Sequence, residues 1–334
     1  MLPENKKILF FSLDHFDYLA DGFLIGLKSH QNLIVYEYPG NKIVYKTIDN
    51  LSNQHGMAFT IGKVLDIKSQ ILYANQIPFD QIDLFVFPSI QHQYSLVKKF
   101  LPYLKKENTL ILDGADSPSL FPYSGYFIQK PKAWFFPPLH YRFHYYKREW
   151  IKNEGFYSKL NKVLPNIFIK FLINQRNIRP ISFSIPEGKI IKALPQKTKL
   201  FPKHIVDEEV ANHIEGSSTK YAFDNEKAYY ADLQASKFGI TTKRAGWDCM
   251  RHYEIAANGA VICFKDLDKK PVTCAPHGLI DGVNCINYKN YEDLTRKIEK
   301  IDIACYSELQ KNSFLWVKSY NCFNTIKHIL NTFL

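Results

Sequence analysis

Along the first 117 residues, short unbroken apolar runs alternate with stretches in which apolar residues recur every three or four positions. Lys7-Ile-Leu-Phe-Phe-Ser12, Leu33–Tyr38, Ile82–Phe87 and Thr109–Leu112 are the unbroken runs. Near-continuous apolar strands of this kind belong to a parallel sheet covered on both faces. Tyr18–Leu27 and Tyr94–Leu104 carry the helical spacing between them, and the fourth run ends in Asp113-Gly-Ala-Asp116. The pattern resumes after residue 203. Helices are predicted over Val206–Ile214, Glu226–Ala235, Asp248–Ala257, Tyr291–Ile301 and Phe314–Leu330, and strands over Lys237–Thr241 and Ala260–Phe264. Between the halves, Ile185–Pro202 holds Pro186, Pro195 and Pro202 and reads as a hinge. The expected fold is α/β, with two Rossmann-like domains joined there. No Gly-x-Gly-x-x-Gly follows the first strand.

Charge alters this picture in one place. The formal net charge is +11, yet residues 1–117 and 204–334 are each close to neutral. The excess sits in 118–203, which has 16 Lys/Arg against 3 Asp/Glu. Residues 120–150 also hold 12 aromatics, among them Trp134-Phe-Phe136 and Tyr145-Tyr146. A basic, aromatic-rich segment of this kind reads either as an inter-domain insertion with core aromatics and solvated lysines or as a surface for an anionic partner, an anionic membrane rather than nucleic acid. At 46% apolar and 22% charged, the chain can bury a full core. No stretch reads as a signal peptide or a membrane span, and all six cysteines fall from Cys249 onward without a Cys-x-x-Cys pair. These features predict a cytoplasmic protein with reduced thiols, resting peripherally on the inner face of the membrane, and no metal site. The one Asp-x-Asp triplet, Asp266-Leu-Asp268, lies among lysines and reads as a solvated turn. His140 and His144 read as part of the aromatic cluster, and His277 as a structural turn residue.

The chemistry-bearing stretch is Phe238–Phe264. A strand ends at Thr241, a glycine-containing loop carries Lys243, Arg244 and Gly246, and a helix is expected to start near Asp248 as N-cap. Loop amides and a helix N-terminus favour a phosphate, and Lys243 and Arg244 add charge. Arg251 and Glu254 share one helix face, where Glu254 could accept from vicinal hydroxyls of a ribose.

Arg251-His-Tyr-Glu-Ile-Ala-Ala-Asn-Gly-Ala-Val-Ile262, within the wider Gly-Trp-Asp-Cys-Met-Arg-His-Tyr-Glu pattern, resembles the donor-binding motif of GT-B glycosyltransferases. The likeness is to the family-1-like and spore-protein-like members, and more loosely to the exostosin type. It is good over roughly residues 226–280 and architectural over the first 117. The resemblance implies an N-terminal acceptor-side domain over 1–190, including the basic aromatic segment 118–190. It implies a nucleotide-sugar donor domain over 191–310, and a C-terminal helix within 311–334 that packs back on the first domain. It makes Lys243, Arg244, Gly246, Asp248, Arg251 and Glu254 the donor-binding residues. Retaining members often carry a second glutamate eight positions before the first; here that position is Gly246, so the stereochemistry of transfer is not implied. A base near the acceptor hydroxyl is expected on loops that follow strands of the first domain, with Asp14, His15 and Asp116 as candidates. The implied function is metal-independent transfer of a sugar from a nucleotide-diphosphate sugar, a co-substrate rather than a cofactor, to a glycan or lipid-linked acceptor in surface polysaccharide synthesis. The alternative is a non-catalytic glycan- or nucleotide-binding module on a degenerate fold of the same kind.

Overall fold

The computed structural model describes residues 5–40, 43–46, 59–66, 72–73, 78–121, 139–151 and 177–331. Seven strands form a first sheet: β1 (Lys6–Phe11), β2 (Leu33–Tyr38), β3 (Leu72–Tyr73), β4 (Leu84–Phe87), β5 (Thr109–Asp113), β6 (His144–Lys147) and β7 (Ile178–Pro180). Their order is β3-β2-β1-β4-β5-β6-β7, and every pairing is parallel. A second parallel sheet, in the order β10-β9-β8, holds β8 (Phe238–Thr241), β9 (Val261–Lys265) and β10 (Cys285–Tyr288). The strands missed by pattern, β3, β6, β7 and β10, are two to four residues long, too short for an apolar run to stand out.

Period-2 alternation divides the first sheet between two cores. Ile8, Phe10, Leu84, Val86, Leu110 and Leu112 face one way, toward the Tyr18–Lys28 helix. Leu9, Phe11, Phe85, Phe87 and Ile111 face the other, toward the Ile90–Phe100 helix. The first core does not end at the domain boundary. It runs on through Tyr253, Ile255, Ile262 and Phe264 of the second domain, while Phe238, Ile240, Val261 and Cys263 fill a third core behind the second sheet.

Asp17 starts the first helix by accepting from the Leu19 and Ala20 amides, both at 3.0 Å. Gly26 on that helix has no space for a side chain: a Cβ would lie 2.4 Å from the Cys322 carbonyl oxygen and from Ile326. This close approach seats the C-terminal helix, Cys322–Asn331, on the first domain. One helix was expected over 314–330, but the chain forms Ile303–Ser319 and then turns before Cys322. Asn321 drives the restart by accepting from the Asn324 amide at 2.7 Å. At this turn the two crossings between domains hydrogen-bond each other, with the Ile185 amide donating to Tyr320 O and the Cys322 amide to Ile185 O.

Of the basic segment 118–203, residues 122–138 and 152–176 lie outside the described residues. Among the described residues no helix is long and apolar enough to cross a membrane.

Candidate functional site

The strand order reverses between β1 and β4, so a crevice opens beyond their carboxyl ends, where open α/β sheets hold ligands. Asp14 and His15 follow β1 at this point. The Asp14 carboxylate lies 3.0 Å from His15 Nδ1, and this hydrogen bond holds Asp14 below the usual carboxylate range. The His15 ring meets that of His92, on the helix after β4, at 4.7 Å.

Across the crevice the second domain presents a cavity of about 440 Å³, lined among others by Tyr18, Tyr221, Tyr229, Arg244, Arg251 and Glu254. It is built by the start of the Tyr18–Lys28 helix, the Glu226–Ala235 helix, the Met250–Ala257 helix with the loop before it, and the segments around His204 and Tyr221. Glu254 is buried at its base. One carboxylate oxygen accepts from Thr60 of the first domain, the other from the Tyr229 hydroxyl at 2.8 Å. Burial pushes its pKa up, against the lowering effect of these two hydroxyls and of Arg251. Each carboxylate oxygen keeps a further lone pair for a ligand hydroxyl. Arg251 and Glu254 share the helix face as expected, yet they form no contact ion pair; the Arg251 guanidinium lines the cavity without a carboxylate or carbonyl partner among the described residues. Arg244, exposed at the rim, is equally unpaired in its side chain. Two buried polar atoms in the lining, His204 Nδ1 and Tyr221 Oη, also lack a hydrogen-bond partner among the described residues. Uncompensated groups gathered at one cavity are what a polar ligand completes.

Cys249 stands at the cavity wall as the N-cap residue of the Met250–Ala257 helix, in place of the expected Asp248. Its Sγ lies 3.9 Å from His252 Nδ1 and from Thr241 Oγ1. Burial alone would raise the thiol pKa, but the His252 imidazole and the Arg251 charge outweigh it and bring it down to about 7. The other ring nitrogen, His252 Nε2, donates to the Trp247 carbonyl at 2.9 Å, which fixes the ring.

Asp116, Gly246 and Asp248 meet elsewhere, around Arg148. This buried guanidinium donates to Gly114 O at 3.0 Å, Asp248 O at 2.7 Å, Glu149 at 3.0 Å and the Asp116 carboxylate. Glu149 accepts in turn from the Asp248 amide at 3.1 Å, and the Asp248 carboxylate accepts from the Phe183 amide and the Tyr253 hydroxyl. Gly246 leaves room for this arrangement, since a Cβ there would lie 2.5 Å from Glu149 Oε1 and 2.9 Å from Asp116 Oδ1. The cluster joins the loops after β5 and β6 to the second domain. The Glu149 carboxylate therefore packs directly against the Gly246 backbone.

The structure therefore gathers Arg244, Arg251 and Glu254 into one cavity, and Asp116, Gly246 and Asp248 into the inter-domain cluster. Asp14 and His15 stand at the crevice mouth. Lys243 is exposed, with its ammonium 5.1 Å from the Trp247 ring centroid. Sequence reasoning missed Thr60, Tyr229, Cys249 and Glu149. Cys249 stood inside the motif, but the other three converge only through tertiary structure. Among the described residues no group of three or more His, Cys, Asp or Glu could hold a metal ion.

No protein-family profile and no curated protein matches the sequence. Solved structures do match the fold. The Anabaena protein HepE, solved with UDP and glucose, superimposes with a TM-score of 0.56 at 10% identity, over 98% of this chain and 99% of that one. A glycosyltransferase from Rickettsia africae superimposes with a TM-score of 0.53 at 11% identity, over 98% of both chains. HepE with UDP-glucose gives 0.51 at 10% identity, again over 98% of both. With its two parallel sheets facing across a crevice, the chain has the GT-B fold of these glycosyltransferases.

Proposed function

We propose that the chain is a glycosyltransferase that moves a sugar from a nucleoside-diphosphate sugar to a hydroxyl acceptor. The observation that carries this is the Arg251 guanidinium, without an acidic partner among the described residues, in a cavity with the buried Glu254 carboxylate at the crevice between the two sheets. Arg251 and Arg244, with Lys243 from the rim, receive the diphosphate and stabilise its charge as the glycosidic bond breaks. Glu254 receives a ribose or sugar hydroxyl. In this reading the leaving group's charge is met by cationic side chains, so catalysis calls for no metal. The binding of UDP and UDP-glucose by HepE, a protein of the same fold, supports this donor class. The acceptor enters from the first domain. In this reading His15, hydrogen-bonded to Asp14, takes its proton, and Asp116, ion-paired to Arg148, is the other carboxylate on that side. The basic segment 118–203 suits a lipid-linked glycan acceptor at an anionic membrane surface, and the pathway is then surface polysaccharide synthesis.

A second reading, a binding module without turnover, is favoured by one observation: both oxygens of Glu254 are already engaged by Thr60 and Tyr229. Thermal shift against a panel of nucleotides and nucleotide sugars, followed by donor-hydrolysis assays on each ligand that binds, separates the two. A ligand at 100 times its Kd stabilises the fold by about 2.7 kcal/mol. Binding with slow hydrolysis supports the transferase. Binding with none supports a nucleotide-binding module, and no binding by any nucleotide refutes the transferase and leaves a glycan-binding module.

A further inference from the structure

A second cavity, of about 430 Å³, lies at the far edge of the large sheet, between the residues after β7 and the two C-terminal helices. It shares no lining residue with the first. Phe183 and Tyr253, both hydrogen-bonded to Asp248, line neither; the Phe183 ring faces Tyr18 of the first cavity at 5.8 Å, and the Tyr253 ring faces Tyr320 of the second at 6.4 Å.

The polar groups of the second cavity are one-sided. Arg179, His277 and His328 line it, and among the described residues no carboxylate does. The Arg179 guanidinium reaches only the Tyr146 hydroxyl, at 3.5 Å, and has no acidic partner among the described residues. Two further lining atoms, His277 Nε2 and Thr325 Oγ1, are buried without a hydrogen-bond partner among the described residues. Burial lowers the His277 pKa, so at neutral pH the ring is uncharged, able to donate or accept at Nε2 according to its tautomer. His277 was expected to be structural, and its carbonyl does serve the fold by accepting from Trp316 Nε1 at 2.8 Å; its ring edge is what remains unused. Ile181, Ile329 and the Tyr320 ring supply an apolar face. A cation without an acidic partner among the described residues suits an anion, and neutral unpartnered groups beside an aromatic ring suit the hydroxyls and the face of a sugar. The volume is that of a small-molecule site.

We propose that this cavity is a second ligand site, for a small anionic sugar of the sugar-phosphate class. Its charged group lies on Arg179, its hydroxyls on His277 Nε2 and Thr325 Oγ1, and its ring against Tyr320. The inference does not depend on what the first cavity binds.

Isothermal titration with glucose 6-phosphate tests it, with glucose and inorganic phosphate as the two partial probes. Glucose 6-phosphate is expected to bind saturably and more tightly than either partial probe. Arg179→Gln should weaken it by about tenfold or more, the loss expected for a charged hydrogen bond, and Thr325→Val should weaken it less. Arg179 is half-buried at the rim, so both effects are read in proteins with the wild-type melting temperature. The site is refuted if glucose 6-phosphate does not bind, if UDP displaces it, if phosphate alone binds as tightly, or if affinity is unchanged in Arg179→Gln.

Discussion

Replacing Arg251 with methionine removes a guanidinium while keeping the apolar stem that packs in the cavity wall. In the unliganded protein this group makes no hydrogen bond or ion pair among the described residues. The substitution therefore breaks no hydrogen bond among the described residues, and the melting temperature of the free protein is expected to fall only by what the lost attraction to the Glu254 carboxylate supplies. Its effect falls on the ligand. A hydrogen bond to a charged group contributes about 1.5–3 kcal/mol, and at 1.4 kcal/mol per decade the Kd for UDP should rise roughly 10- to 150-fold. The guanidinium is half-buried, so solvent screening places the effect toward the lower end in high salt. Titration calorimetry with UDP and with uridine, each at two ionic strengths, is the assay. UDP affinity should fall, and its salt dependence should flatten. Uridine, which lacks the diphosphate, should bind as before. A UDP affinity within twofold of wild type, or an equal loss for uridine, would refute the assignment of Arg251 to the diphosphate.

Four other outcomes follow from the geometry. Cys249, with its thiol brought down to about 7 from an ordinary 9.0, should be alkylated by iodoacetamide with a rate that rises through about pH 7, and UDP should protect it; a Cys305→Ser background removes the exposed competing thiol. Because the folded-state value is depressed, the same group adds stability that is complete above about pH 9 and lost as pH falls through about 7, which denaturant midpoints across that window would reveal. Gly246→Ala forces a Cβ against Glu149 and should cost about 1–3 kcal/mol of stability in urea unfolding. Arg148→Met leaves the buried Glu149 carboxylate and two carbonyl oxygens without their donor and should cost about 3–5 kcal/mol, part of which the added change Glu149→Gln should restore.

The sheets of this fold were legible because their strands are buried on both faces: Ile8–Phe11, Leu84–Phe87 and Leu110–Leu112 are apolar at every position. The candidate donor site was partly legible for a different reason. Arg244, Arg251 and Glu254 lie within eleven residues on one loop and helix, so local spacing already places them together. The remainder depends on contacts between distant segments. Thr60 reaches Glu254 across 194 positions, and Glu149 reaches the Asp248 amide across 99, with no periodicity to announce either. Asp248 shows the limit of local reasoning. As an N-cap type before a helix it should have capped, but a tertiary partner, the Phe183 amide, takes its carboxylate and leaves the cap position to Cys249.

The seating of Cys322–Asn331 on the helix that begins at Tyr18 bears on how the protein is made. Gly26 on that early helix meets its neighbours, Cys322 and Ile326, only after a segment some 300 residues later has been synthesised, whereas Gly22 one turn earlier already packs on Ser184. At 5–20 residues per second, roughly 15 to 60 seconds pass with this groove open on the ribosome. The first domain is thus completed last. A nascent chain of this topology is an early client for chaperones that shield apolar surface, and loss of the late helix would damage the domain translated first.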